Sequence, residues 1–171
     1  RIIKVGLEFC IYKKLKKIEK KYKDSYIFLL PSHIGEVYST FSLLNSFKQK
    51  YKANRITVLI DKKFEFLVKM FPVIDNYVFV PAKYDNFITG YLGRIVGTRR
   101  PQIGKIIVAE AHTFLKLGGI NEWTLFDIMP LQLGLSNNSP YELPTLYNCT
   151  NIKLKEHLVQ MFIDKKIIYF F

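Results

Sequence analysis

The sequence has few cysteines and no long apolar run. Its 171 residues include two cysteines, Cys10 and Cys149, which belong to no CxxC pair. So few cysteines argue against a disulfide scaffold and favour a reducing cytoplasm. No uninterrupted run of 18 apolar residues is present, so we expect no transmembrane helix. The three histidines follow no ligand spacing such as HExxH, so we expect no metal site.

Two glycine patterns of nucleotide-binding proteins are also missing. The turn after the first predicted strand contains neither the GxGxxG of dinucleotide-binding turns nor the GxxxxGK[ST] of a P-loop. These glycines let the backbone approach a pyrophosphate closely, so bound NAD or ATP is disfavoured at this turn. We expect no cofactor.

Acidic residues are scarce: 14 stand against 26 lysines and arginines, and the net charge is +12. Residues 1–23 carry nine of the basic residues against Glu8 and Glu19, which gives this segment a net charge of +7. The rest of the chain is only mildly basic. Because the charge is concentrated in one segment, we expect no nucleic-acid partner.

Residues 5–23 have the periodicity of an amphipathic helix. One stripe of this helix is apolar and consists of Leu7, Ile11, Leu15, Ile18 and Tyr22. Lysines occupy the other faces. Two interpretations stay open: the helix lies on the domain with a solvated lysine face, or it rests on an anionic membrane surface.

From residue 26 to residue 80, short apolar runs alternate with helical periodicity. Strands are predicted at 26–30, 55–60 and 75–80, and the helices between them at 36–52 and 62–70. Such alternation with short connections implies a parallel sheet with right-handed crossovers. We therefore predict an α/β fold, a Rossmann-like open parallel sheet with helices on both faces, preceded by the basic amphipathic helix.

The second half of the chain gives weaker signals. A fourth strand is expected at 105–109 and a helix at 122–133, which Pro130 should kink or end and Gly134 should cap. Residues 136–151 are rich in turn-forming residues and are predicted to be a linker.

The predicted domains are a basic helix at 1–24, a Rossmann-like domain at 25–147, and a linker with the start of a second domain at 148–171. The chain begins at Arg1, and the apolar run 166–171 predicts a final strand with nothing after it. We therefore expect the sequence to be a piece of a longer protein.

The first strand-to-helix turn, Ser32 to Glu36, is the best candidate for chemistry. In open parallel sheets, ligands bind beyond the carboxyl ends of the strands. Ser32 is a candidate helix cap, His33 could orient a substrate, and Gly35 would allow close approach to the backbone. Glu36 could act as a general base. A purely structural explanation also stands, because a helix dipole favours a glutamate in the first turn and His33 could simply cap the helix.

A second group of candidates lies further along the chain. Arg94, Arg99 and Arg100, with Lys105, form a basic cluster between glycines that could hold a phosphate or an acidic sugar of the acceptor. Such a cluster is also typical of a solvated loop. His112 follows the fourth predicted strand and could face the same cleft.

The stretch from Ile27 to Tyr51 resembles the opening of the heptosyltransferase-like (family 9) bacterial glycosyltransferases. In that family a strand runs into Ser-x-x-Gly-Asp, and Ser32, Gly35 and Glu36 fall on this motif. The likeness is strong over 26–80 and looser to residue 147, where Gln132-Leu-Gly-Leu135 followed by Pro144 resembles the last helix of the family's first domain.

The resemblance implies a GT-B architecture, in which this domain receives the acceptor and a second domain binds the nucleotide sugar. It implies metal-independent inversion on a bacterial surface-glycan or glycolipid acceptor, in the cytoplasm or at the inner face of the cytoplasmic membrane. Glu36 would take the role of the family's aspartate base, although its side chain is one methylene longer. Without the donor-binding domain the fragment alone should be inactive. The alternative is a non-catalytic module of the same fold that binds a glycan or a partner.

Overall fold

The computed structural model describes residues 2–30, 33–81, 84, 102–109 and 125–145. These residues form a five-stranded sheet flanked by helices. The strands are β1 (Tyr26–Leu29), β2 (Ile56–Ile60), β3 (Asn76–Phe79), β4 (Gln102–Ile103) and β5 (Ile106–Val108). The helices are α1 (Ile2–Lys21), α2 (Ile34–Tyr51), α3 (Glu65–Met70, after a 3-10 turn at Lys62–Phe64) and α4 (Leu125–Gln132).

The sheet order is β3-β2-β1-β5-β4. The first three strands and β5 are parallel, with Phe28 in the centre paired to Val58 on one side and Ile107 on the other. This confirms the predicted α/β fold with an open parallel sheet. The four strands predicted up to residue 109 agree with the observed ones to within one residue, and the predicted strand 166–171 lies outside the described residues.

β4 was not predicted. It pairs antiparallel with β5 through a two-residue turn at Gly104 and Lys105. Gly104 has a φ of 63°, as the first residue of a two-residue hairpin turn requires.

Alternate residues of the strands face opposite sides of the sheet. Phe28 and Leu30 point into a core shared with α2, α3 and α4, whereas Ile27 and Leu29 point into a core shared with α1. Helices therefore cover both faces, and the residues of β1, β2 and β5 are mostly apolar because they are buried, with Thr57 as a buried polar residue. On β3, Tyr77 and Phe79 are exposed.

α1 packs on the sheet through its apolar stripe. Ile11 and Leu15 are buried, and Ile18 and Tyr22 are partly buried against the same cluster. Full burial of two aliphatic side chains stabilises this contact by roughly 1.5–3 kcal/mol each. Most of the lysines of α1 point to solvent, namely Lys13, Lys14, Lys17, Lys20 and Lys21.

α4 ends in a glycine cap, as predicted. Gly134 has a φ of 68° and donates its N–H to the Leu131 carbonyl, while the Leu135 N–H bonds the Pro130 carbonyl. These two bonds are those of a Schellman motif. Pro130 does not end the helix, since α4 continues for two more residues to Gln132.

Residues 136–145, predicted as the start of a linker, pack along α2 and α3. The Glu142 N–H donates to the Ser42 carbonyl at 2.8 Å, and the Thr145 N–H donates to the Met70 carbonyl at 2.8 Å. The Ser46 hydroxyl donates to the Pro140 carbonyl. α2 is therefore enclosed between the sheet and this segment, which explains why small polar residues along the helix are buried.

Candidate functional site

The candidate site lies at the carboxyl edge of the parallel strands. From β1 the chain moves outward to β2 and β3, whereas β5 pairs on the opposite side of β1. The crevice beside β1 is thus the topological switch point of the sheet, where open α/β sheets bind their ligands.

The strand ends at this edge are held in register. The Leu30 N–H bonds the Leu59 carbonyl at 3.0 Å, and the Ala109 N–H bonds the Leu29 carbonyl at 3.1 Å. Pairing therefore continues one residue beyond β1 and β5. The β1–α2 connection starts from a fixed platform, which is what a positioned side chain requires.

α2 begins after His33, which is the N-cap residue with φ −107° and ψ 119°. The expected cap was Ser32, one residue earlier. The His33 carbonyl accepts the Val37 N–H at 3.1 Å, so the first helical bond closes there. His33 is exposed, and so is Ile34 at 56%. Both residues contribute to the outer surface at the start of α2.

Glu36 is the third residue of α2 and lies beneath that surface, with 2% of its area exposed. Its backbone carbonyl accepts a hydrogen bond from the Thr40 hydroxyl at 2.7 Å. Among the side chains whose burial the structure describes, no other one that carries a carboxylate or an ammonium group is buried. Burying a carboxylate is costly, and the amino end of a helix offsets only about 0.3–2 kcal/mol of that cost.

Glu65 tests the explanation that Glu36 is present only because a helix dipole favours a glutamate in the first turn. It also stands in the first turn of a helix, α3, but its side chain is 34% exposed and forms an ion pair with Lys69 at 3.4 Å. A glutamate placed for the helix dipole alone has no need to be buried. The burial of Glu36 therefore exceeds what the helix dipole requires, and this makes Glu36 a candidate for a further role in the crevice.

Polar side chains follow Glu36 along α2. Ser39, Thr40 and Ser42 are all buried. Burial also raises the pKa of the neighbouring Tyr38 phenol, and a hydrogen bond with the Ser42 hydroxyl opposes this shift. The spacing of Ser39 and Thr40, three and four residues after Glu36, places them on the same side of the helix. This signal was present in the sequence but was not used in the prediction.

The structure brings together three of the predicted site residues, His33, Gly35 and Glu36, at one helix start. The others lie outside the described residues: Ser32, Arg94, Arg99, Arg100 and His112. The predicted start of a second domain at 148–171 lies outside them too. Lys105, predicted with the arginines, lies in the β4–β5 turn at the amino edge of the sheet, away from the start of α2. The candidate site is therefore the amino end of α2 with its buried carboxylate.

Among the residues that the structure describes, no group of three or more His, Cys, Asp or Glu side chains could hold a metal ion. Nor does any helix in the described ranges have the length and apolar character needed to cross a bilayer. Comparison with family models, curated proteins and solved structures gave no match.

Proposed function

We propose that the chain is the acceptor-side domain of a glycosyltransferase of GT-B architecture. It would transfer a sugar from a nucleotide sugar to a bacterial surface-glycan acceptor, lipopolysaccharide-like or lipid-linked, by metal-independent inversion. The observation that carries this proposal is the buried carboxylate of Glu36 at the start of α2, beside the switch point of the sheet. The resemblance of the β1–α2 stretch to heptosyltransferase-like enzymes points the same way.

In this mechanism Glu36 is the general base. An acceptor hydroxyl attacks the anomeric carbon of the donor on the face opposite the leaving nucleotide, and Glu36 takes the hydroxyl proton. The new glycosidic bond forms as the bond to the nucleotide phosphate breaks, so the configuration inverts. Because Glu36 is shielded from water, an acceptor that reaches it meets a carboxylate with few competing solvent contacts.

The neighbours of Glu36 would position the acceptor. His33 is exposed at the mouth of the turn and would hydrogen-bond an acceptor hydroxyl, while Gly35 would let the sugar approach the backbone. Ser32, Arg94, Arg99, Arg100 and His112 complete the proposed acceptor site, with the arginines binding acidic groups. A second domain would bind the nucleotide sugar.

A non-catalytic glycan- or partner-binding module is the second candidate. It is favoured by the exposure pattern, because His33 and Ile34 face solvent whereas Glu36 does not. A ligand could bind the exposed residues without ever reaching the carboxylate.

The test of the proposed function is a transfer assay on the full-length protein. A panel of nucleotide sugars would be offered with membrane lipid extract as acceptor, and the product would be followed by mass spectrometry and by release of the nucleotide. Sugar incorporation supports the enzyme. Ligand binding without any incorporation would favour the non-catalytic module, and neither binding nor incorporation with this panel would reject both forms of the proposal.

α1 would bring the enzyme to its acceptor at the membrane. Its apolar stripe is occupied by the sheet, so contact would use the opposite face. There Phe9 is 56% exposed and the Lys13 ammonium lies 4.5 Å from its ring centre. Lys17 and Lys20 are exposed as well. Lysines with an adjacent aromatic ring suit an anionic bilayer surface.

Replacing Lys13, Lys17 and Lys20 together by Gln is expected to weaken binding to vesicles that contain anionic lipid by roughly 100-fold, since each lysine near such a surface contributes about 1 kcal/mol. Sedimentation with phosphatidylglycerol-containing vesicles measures this. The matched control replaces Lys62, Lys63 and Lys69, which are also exposed, and removes the same charge elsewhere. Equal loss in both variants would show that net charge, and not α1, governs binding.

A further inference from the structure

A cavity of about 480 Å³ lies at the amino edge of the sheet, where β1 begins and the β4–β5 turn approaches it. This is the edge opposite Glu36. Its polar and aromatic lining comes from Lys23, Lys52, Lys105, Asn54, Tyr26 and Tyr51. The cavity is within the size range of small-molecule sites.

Three separate segments each bring one lysine to this cavity. Lys23 follows α1, Lys52 follows α2, and Lys105 is in the turn between β4 and β5. The only carboxylate among the lining residues is Asp24. The local charge is therefore positive, and like charges that share one concavity repel each other unless an anion is bound between them.

The nearest further carboxylate, Glu19, has other partners. One of its oxygens accepts a hydrogen bond from the Lys16 ammonium at 2.7 Å, and the other accepts a hydrogen bond from the Lys105 backbone N–H at 2.6 Å. The hydrogen bond from Lys16 keeps the pKa of Glu19 below its usual value. Glu19 therefore anchors the β4–β5 turn to α1, and the structure shows the turn held at the rim of the cavity.

Lys52 closes α2 with a left-handed backbone, φ 49° and ψ 43°, and no other non-glycine residue in the described ranges has a positive φ. The Lys52 N–H bonds the Gln49 carbonyl and the Ala53 N–H bonds the Lys48 carbonyl, which are the bonds of a Schellman motif. Glycine usually takes this position, because a side chain there costs about 1–2 kcal/mol. A lysine at this position supplies an ammonium group that glycine would not.

The wall of the cavity suits a ligand that contains a ring. The rings of Tyr26 and Tyr51 are 6.3 Å apart, and the Tyr51 hydroxyl is fixed by donating to the Gly134 carbonyl at 3.0 Å. Rigid tyrosine rings offer an apolar surface to a sugar or a planar group, while lysines bind phosphate as point charges.

We propose that this cavity binds a small phosphate ester with a ring, such as a sugar phosphate, through Lys23, Lys52 and Lys105. The site is separate from the candidate acceptor site, and its occupancy does not depend on the proposed transferase activity. The same chemistry is offered by a soluble phosphate ester and by a lipid phosphate headgroup.

The experiment is a titration of the full chain by isothermal calorimetry with glucose 6-phosphate, with glucose, and with a short-chain phosphatidylinositol phosphate below its micelle concentration, whose headgroup also carries a ring. Binding of glucose 6-phosphate but not glucose is expected. Stronger binding of the phosphatidylinositol phosphate than of glucose 6-phosphate would identify a lipid headgroup as the source of the phosphate. The absence of binding by both phosphate compounds at millimolar concentration would overturn the proposal.

The decisive variant is Lys52→Gly, compared with Lys62→Gln, which also removes one exposed lysine. Lys52→Gly is expected to raise the Tm of the unliganded protein by about 2 °C, because the strain is relieved, and to weaken glucose 6-phosphate binding at least tenfold. Lys62→Gln should change neither. Equal weakening by the two variants would show unspecific charge attraction and reject the site.

Discussion

Under the proposed function, Glu36→Gln in the full-length protein is expected to lower the rate of sugar transfer by at least a hundredfold. The amide has nearly the same shape as the carboxylate but cannot accept a proton, and the loss of a general base costs roughly 10²–10⁴-fold in rate. The Thr40 hydroxyl bonds the backbone carbonyl of Glu36, so this hydrogen bond should survive the change. The measurement is the initial rate of transfer at saturating acceptor.

Glu65→Gln is the matched control. It makes the same chemical change in the first turn of another helix, at a side chain that is partly exposed and paired only across the surface of α3. Its rate should equal that of the wild type. Glu36→Asp should keep a substantial part of the activity, since aspartate is the residue of the family that the stretch resembles. Equal transfer by Glu36→Gln and the wild type would remove Glu36 from the chemistry while leaving the enzyme in place.

The sheet was predictable because its signal is local and strong. The runs around Phe28 and Val58 are almost wholly apolar, interrupted only by Thr57 in β2, and strands with both faces covered require no polar alternation. Short connections then fix the crossovers. The β4–β5 hairpin escaped prediction because β4 has only two residues and its anchor, Glu19, is 86 residues away in sequence.

The position of the candidate site was predictable from the sequence, but the burial of Glu36 was not. The strand-to-helix turn places Glu36 at the carboxyl edge for reasons of chain order alone. Its burial depends on tertiary packing around α2, including the segment 136–145 that had been predicted as a linker. The left-handed backbone of Lys52 could not be predicted, because nothing local to a lysine favours that conformation.

Gly134→Ala is expected to lower the free energy of unfolding by about 2–3 kcal/mol. Gly134 caps α4 with a φ of 68°, and a side chain in this conformation costs about 1–2 kcal/mol. A Cβ atom there would also meet the Tyr51 hydroxyl, which must then leave the Gly134 carbonyl that it bonds. For a domain of this size, we expect Tm to fall by roughly 4–12 °C, measured by thermal or urea unfolding.

Two comparisons separate the causes of that loss. Gly6→Ala makes the same chemical change inside α1, where a Cβ atom meets nothing within 4 Å, so it should stabilise the protein by roughly 0.5–1 kcal/mol. Tyr51→Phe combined with Gly134→Ala removes the steric conflict but leaves the backbone strain. If the strain argument holds, the double variant is less stable than Tyr51→Phe alone by about 1–2 kcal/mol. Equal stability of those two proteins would show that the contact with Tyr51, and not the left-handed backbone, is what requires glycine at position 134.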